Sequence, residues 1–289
     1  MKVLLICNTS AGKGKGGGKI SQLIRILEQK GFQTETFFTK GPGDAKSRAA
    51  RIAPDVQRLI VVGGDGTLNE VLNGLPDPSR IPIALVPSGT SNVMAKETAL
   101  PNKPHSIAVM LEQGAVRRLD MGTIGDRRFL LFVSVGLDAM VMKELLQCRS
   151  SRLGYWRYIM PVMKTLARYH PPDLGITIDE SMKLKGGMVL VGNTRHYGGI
   201  LSITDQAQYN SGHLDVCIVP KATIPSLSRY YLAAARGRVS QERKIHYLTG
   251  KRIRIDSEEP VAVQVDGDYF GTTPILINIS ASVVPFLVP

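Results

Sequence analysis

Apolar runs and helical stripes alternate through the first hundred residues. "KVLLICN" opens as a short strand. Residues 19–30 then place Ile20, Leu23, Ile24 and Leu27 at i, i+3, i+4 and i+7, one face of a helix. "FQTETFF" alternates as a strand and "GDAKSRAARIA" reads as a helix. "RLIVVGG" is a buried strand and "TLNEVLNGL" a helix, then "IPIALVP" a strand and "NVMAKETAL" a helix. Strand and helix in strict alternation, with short links, predict βαβ units around a parallel sheet. In such sheets ligands sit beyond the carboxyl ends of the strands. Three polar loops, "NTSAGKGKGGGK", "GGDGT" and "PSGTSN", fall at those ends.

After about residue 118 the pattern changes. "RRFLLFVSVGLDAMVM", "DLGITID", "GGMVLVGN", "HLDVCIVP", "RIRIDSEEPVAVQVDGDYF" and "ILINISASVVPFLV" read mostly as strands. "YWRYIMPVMKTLARY" and "SLSRYYLAAARGRV" interrupt them as helices. Many strands without regular helical crossovers predict a mainly-β second domain, an antiparallel sandwich or barrel.

Composition narrows the class. At 289 residues the chain is long enough for two domains, and 43% hydrophobic with 21% charged residues is ordinary for a globular fold. No apolar run approaches the roughly 18 residues of a membrane span. The first apolar run is too short for a signal segment and reads as a strand. Cys7, Cys148 and Cys217 show neither a disulfide framework nor metal-site spacing, which favours a reducing, cytoplasmic setting. The net charge of +12 favours an anionic partner: a phosphorylated substrate, an anionic membrane or nucleic acid. Nucleic acid is disfavoured, because no zinc-finger spacing, RNP-like segment or other reader motif is present.

The loops carry the candidate chemistry. "NTSAGKGKGGGK" offers successive backbone N–H groups before a helix, an anion cradle, but fits neither the Walker A nor the Rossmann fingerprint. In "GGDGTLNE", Gly63 and Gly64 let the backbone approach a phosphate. Thr67 and Glu70 bring a hydroxyl and a carboxylate to nucleotide or metal, and Asp65 suits a hydroxyl nucleophile or Mg²⁺. "PSGTSN" repeats this with Ser88, Gly89, Thr90 and Asn92. "VDGDYF" is on its face a type I′ hairpin turn. Asp266 and Asp268 also have the chemistry of phosphoryl transfer, one taking a hydroxyl proton and one helping hold metal. Asp120 in "RLDMGTI" and Asp138 in "VSVGLDA" stand evenly between turn residues and site residues.

"GGDGTLNEV", "PSGTSN", "LDMGTI", "SVGLDA" and "VDGDYF", in this order and over nearly the full length, resemble the diacylglycerol kinase catalytic-domain family, in its bacterial soluble branch. Sphingosine and ceramide kinases are more distant relatives, and NAD kinases and phosphofructokinases share the first motif. The resemblance implies an ATP-binding α/β domain over residues 1–118, with about 276–289 returning to it. It implies a lipid-substrate β-sandwich over 119–275, with the active site in the cleft between. It implies an ATP- and Mg²⁺-dependent lipid kinase acting on a diacylglycerol-like hydroxyl. By the same resemblance Asn8, Thr9, Ser10, Ala11 and Gly12 form the first phosphate-side loop, and Thr39 contacts nucleotide. Gly64, Asp65, Gly66, Thr67, Leu68, Asn69 and Glu70 form the main ATP loop, Thr90 belongs to the next, and Asp120 joins the Mg²⁺–water network. Asp266 and Asp268 match the motif that supplies the proton acceptor.

The chain departs from that pattern at four places. Thr9 replaces a proline, Val93 an aspartate, Asp268 a longer glutamate, and Ser211 an aspartate at a structural Mg²⁺ site. Asp266 therefore ranks at least equal to Asp268 as base. The basic charge implies peripheral work at the inner face of an anionic membrane. Tyr155, Trp156 and Tyr158, among Lys143, Arg149, Arg152, Arg157, Lys164 and Arg168, suit that interface. A homodimer accords with the family. An NAD kinase-type enzyme, and a homologue that binds nucleotide or lipid without catalysis, are the alternatives.

Overall fold

Val3 to Cys7 are all buried within strand β1 (Lys2–Cys7), as in a strand covered on both faces. The computed structural model describes residues 1–8, 17–147, 162–166 and 168–289. The chain divides into two units, Met1–Met121 with Ser280–Pro289, and Gly122–Ile279. The sequence pattern placed the first boundary at about 118, and the resemblance placed the second at about 275.

In the first unit, helix α1 (Gly17–Gln29) turns Ile20, Leu23 and Leu27 into the core. Strand β2 (Gln33–Phe38), helix α2 (Asp44–Ala49), β3 (Arg58–Gly63), α3 (Asp65–Gly74) and β4 (Ile83–Pro87) continue the alternation. Helix α4 (Val93–Glu97) is shorter than its apolar pattern, and Ala99 beyond it takes a positive φ of 51°. Helix α5 (Pro104–Gln113) was not read from the sequence, although a proline in its first turn and buried Ile107, Ala108, Met110 and Leu111 mark it. Strand β5 (Ala115–Leu119) follows. The sheet runs β2-β1-β3-β4-β20-β5, where β20 (Val284–Val288) is the last strand of the chain. All neighbours are parallel except β20 and β5. The order reverses between β1 and β3, the switch point at which open sheets bind ligands.

The second unit begins with β6 (Gly122–Ile124), β7 (Arg127–Phe129) and β8 (Phe132–Val135). The segment after Val135 was expected as strand and is a helix instead, α6 (Leu137–Gln147). Gly136 ends the strand at φ 116°, and a short apolar run by itself does not separate strand from helix. Then come β9 (Leu174–Ile178), β10 (Met182–Gly186), β11 (Met188–Gly192), β12 (His196–Tyr197), β13 (Leu201–Ser202) and β14 (Leu214–Val219). Helix α7 (Ile224–Ala235), β15 (His246–Gly250), β16 (Arg252–Ser257), β17 (Ala262–Val265), β18 (Asp268–Thr272) and β19 (Ile275–Ile279) complete the unit. Two six-stranded antiparallel sheets form, β10-β9-β16-β19-β6-β7 and β15-β14-β11-β8-β17-β18. One core joins Ile176, Ile253 and Ile277 of the first sheet to Val133, Val189 and Val263 of the second, which makes a sandwich. Of the expected helix around Trp156, residues 162–166 are helical and 155–161 lie outside the described residues. Among the described residues no helix is long and apolar enough to cross a membrane.

Candidate active site

At the switch point of the first unit the loop starts are tied to one another. The Asn8 N–H donates to the Val62 carbonyl at 2.8 Å, the Ser88 N–H to Gly63 at 2.9 Å, and the Thr39 N–H to Cys7 at 2.9 Å. The Asn8 amide also donates to the Thr67 hydroxyl at 3.1 Å, linking the end of β1 to the first turn of α3. A Cβ on Gly89 would stand 2.6 Å from the Gly64 Cα, and one on Gly64 3.0 Å from the Gly89 Cα. The "GGDGT" and "PSGTSN" loops thus meet backbone to backbone, and only glycine allows it. Asn92 closes the second loop from a φ of 45°. Its side chain accepts from the Gly89 N–H and donates to the Gly89 carbonyl, both at 2.9 Å.

Asp65 has a role the sequence did not disclose. Its two carboxylate oxygens accept the Val93 and Met94 N–H groups at 2.9 and 3.1 Å. It caps α4 from the first turn of α3 and holds the two loops in register. Thr67, Leu68 and Asn69 are buried, Glu70 and Thr39 half-buried, and Gly66 and Thr90 exposed. Leu68 packs in the core at 1% exposure, so its side chain serves α3 rather than a ligand. Thr9, Ser10, Ala11 and Gly12 lie outside the described residues. Asp120 is buried just after β5. Among the described residues no three His, Cys, Asp or Glu side chains cluster to cage a metal. The acidic oxygens of Asp65, Glu70 and Asp120 suit Mg²⁺ by chemistry. Mg²⁺ commonly uses one or two carboxylates, waters and phosphate oxygens, so no full cage is required.

In the second unit, Asp266 and Gly267 are the two loop residues of the β17–β18 hairpin, at φ 50° and 87°. That is the type I′ geometry that Asp-Gly favours. The two carboxylates differ sharply. Asp266 accepts the Leu130, Leu131 and Phe132 N–H groups at 3.0, 2.9 and 3.0 Å, which anchors the turn to the backbone before β8. The Asp268 side chain is 72% exposed and accepts from the Arg127 guanidinium at 2.8 Å. Arg127 was not among the residues read from the sequence; no local motif marks it, because the pair spans 141 residues of chain.

Asp138 is buried in the first turn of α6. It accepts from the Ser134 hydroxyl at 2.5 Å, the Tyr197 hydroxyl at 2.9 Å and the Ala139 N–H at 2.9 Å. Burial pushes its pKa up, against the lowering pull of those bonds. It lines a cavity of about 380 Å³ with Leu137, Val141, Met142, Leu166 and Leu227. Ser211, at the position of the family's structural Mg²⁺ aspartate, donates its hydroxyl to the His213 carbonyl at 3.0 Å. A neutral hydroxyl closes that turn by itself, where the family pattern would place a carboxylate.

Residues 2–124 match the family model for the diacylglycerol kinase catalytic domain, and 131–288 match that for the YegS C-terminal NAD kinase beta sandwich-like domain. The chain belongs to the diacylglycerol kinase catalytic-domain family. It is accordingly a phosphotransferase with an alcohol acceptor. Among proteins similar to this family member is a Staphylococcus saprophyticus diacylglycerol kinase, 29% identical over 93% of this chain and 90% of its own. A solved diacylglycerol kinase structure from Bacillus anthracis aligns with TM-score 0.79 at 28% identity, covering 100% of this chain and 97% of that one. An NAD kinase from Archaeoglobus fulgidus aligns with TM-score 0.57 at 14% identity over 99% of this chain and 93% of its own, a likeness of fold alone.

Proposed function

We propose that this enzyme transfers the γ-phosphate of ATP to the hydroxyl of a diacylglycerol-like lipid, with Mg²⁺. The observation that carries the choice of acceptor is the mainly apolar cavity beside α6, whose leucine, valine, isoleucine and methionine side chains suit an acyl chain better than a dinucleotide. The names of the curated relatives support the same reading. The Gly64–Gly89 backbone contact and the start of α3 receive the phosphates, Asn8 and Thr39 bordering them. Asp65 and Glu70, at the start of α3, would help hold Mg²⁺ partly through water, with Asp120 assigned to the same network by the resemblance alone. Mg²⁺, when bound, would offset the charge of the phosphates.

The base is assigned to Asp268. Three backbone donors already engage Asp266, whereas Asp268 is exposed and oriented by one arginine. Asp268 takes the hydroxyl proton as that oxygen attacks phosphorus in line, and Asp266 keeps the turn in place. The deciding assay follows labelled γ-phosphate from ATP into a dispersed lipid extract and, separately, into NAD. Label in a lipid supports the reading. Label in NAD alone transfers the assignment to an NAD kinase-type activity, and ATP binding without transfer to a non-catalytic one.

A further inference from the structure

Helix α7 grades from apolar to basic around its circumference. At 3.6 residues per turn Leu227, Tyr231, Ile224 and Ser228 share one side, and all four line the cavity that holds Asp138. Leu232 comes next around the helix, and Arg236 and Arg229 follow it. Ile224 is 49% and Leu232 51% exposed. Val162, on the same cavity, is 36% exposed and its neighbour Met163 58%. Large apolar side chains therefore stand in solvent at the rim of an apolar cavity. Along α7 and its flanks the charge has one sign. Between residues 216 and 241 the sequence carries Lys221, Arg229, Arg236 and Arg238 and no aspartate or glutamate. All four basic residues are exposed.

Exposed aliphatics bordered by arginines are the signature of a helix lying in a lipid interface, the apolar strip below the headgroups and the guanidinium groups among the phosphates. We propose that α7 is the element that seats this protein on an anionic phospholipid bilayer, with Ile224 and Leu232 entering the interface. The Asp138 cavity then opens toward the lipid, so that an acyl chain passes into it without crossing water. The purpose of this seat rests on the lipid-acceptor reading, but the seat is tested without catalysis.

The experiment is co-sedimentation of the full chain, without ATP, with vesicles of phosphatidylcholine alone and of phosphatidylcholine with phosphatidylglycerol. The wild-type protein is expected to partition onto the anionic vesicles and to leave them as salt is raised. Leu232→Glu should weaken that partition about tenfold or more, by the loss of a buried aliphatic. Arg229→Ala with Arg236→Ala should weaken it about thirtyfold, at the usual worth of two basic groups near such a surface. None of these residues lines the cavity or the phosphate-side loops, so turnover of a detergent-dispersed acceptor should persist in each variant. Unchanged binding in both variants, equal binding to neutral vesicles, or a Leu232→Glu effect confined to self-association overturns the proposal. If anionic binding follows the variants while no lipid is phosphorylated even by wild type, the seat stands and the kinase reading falls.

Discussion

Two residues apart on one hairpin, Asp266 and Asp268 have the same side chain and opposite uses. Sequence ranks them together, and hydrogen bonding separates them. Asp268→Asn is expected to lower turnover by about 10²–10⁴ with ATP affinity near normal, the scale of losing a general base. Asp266→Asn turns an amide toward three backbone N–H donors and should cost about 1–3 kcal/mol of stability by chemical denaturation. Full turnover in Asp268→Asn, with none in a folded Asp266→Asn, would reverse the assignment. Asp138 gives a second test at this scale. Its raised pKa means the folded protein keeps that proton to higher pH than the unfolded chain, whose value is about 4. The associated stability is complete below that value and is lost as pH rises through the folded one. Asp138→Asn, which cannot ionise, should therefore unfold with a flatter pH dependence above pH 4 than wild type, and identical slopes would refute this.

At the scale of elements, the ligand edge of the parallel sheet is a set of loops braced by each other. Gly89→Ala would drive a Cβ to within 2.6 Å of the Gly64 Cα, so the loops must separate. We expect a loss of about 1–3 kcal/mol in stability and clearly weaker ATP binding by calorimetry, while Gly66→Ala, with open space around its Cβ, should cost far less stability. Asp65 works at the same scale, because it caps α4 from α3. The hairpin at Asp266–Gly267 was legible in the sequence, since Asp and Gly tolerate the positive φ that a type I′ turn needs at both loop positions. Helix α6 was not, because its apolar run suits strand or helix equally and Gly136 decides between them.

For the whole molecule, the last strand matters out of proportion to its length. β20 lies between β4 and β5 inside the first unit's sheet, with Val284, Phe286 and Leu287 fully buried. A chain ending at Ile279 would leave β4 and β5 without their shared neighbour. We expect it to lose ATP binding and cooperative unfolding of the first unit, and normal binding by that truncation would show β20 dispensable.

From its own pattern the sequence determined the alternating α/β half, the β-rich half, the three polar loops at the strand ends and the turn at Asp266. These rest on local periodicity and on glycine conformations, which neighbours along the chain specify. Tertiary structure alone decided that β20 completes the first sheet, that Asp65 caps α4, that Arg127 meets Asp268 and that α7 borders the cavity of Asp138. Those contacts join residues tens to hundreds of positions apart, and no local preference encodes such a partner; only packing the whole chain selects it.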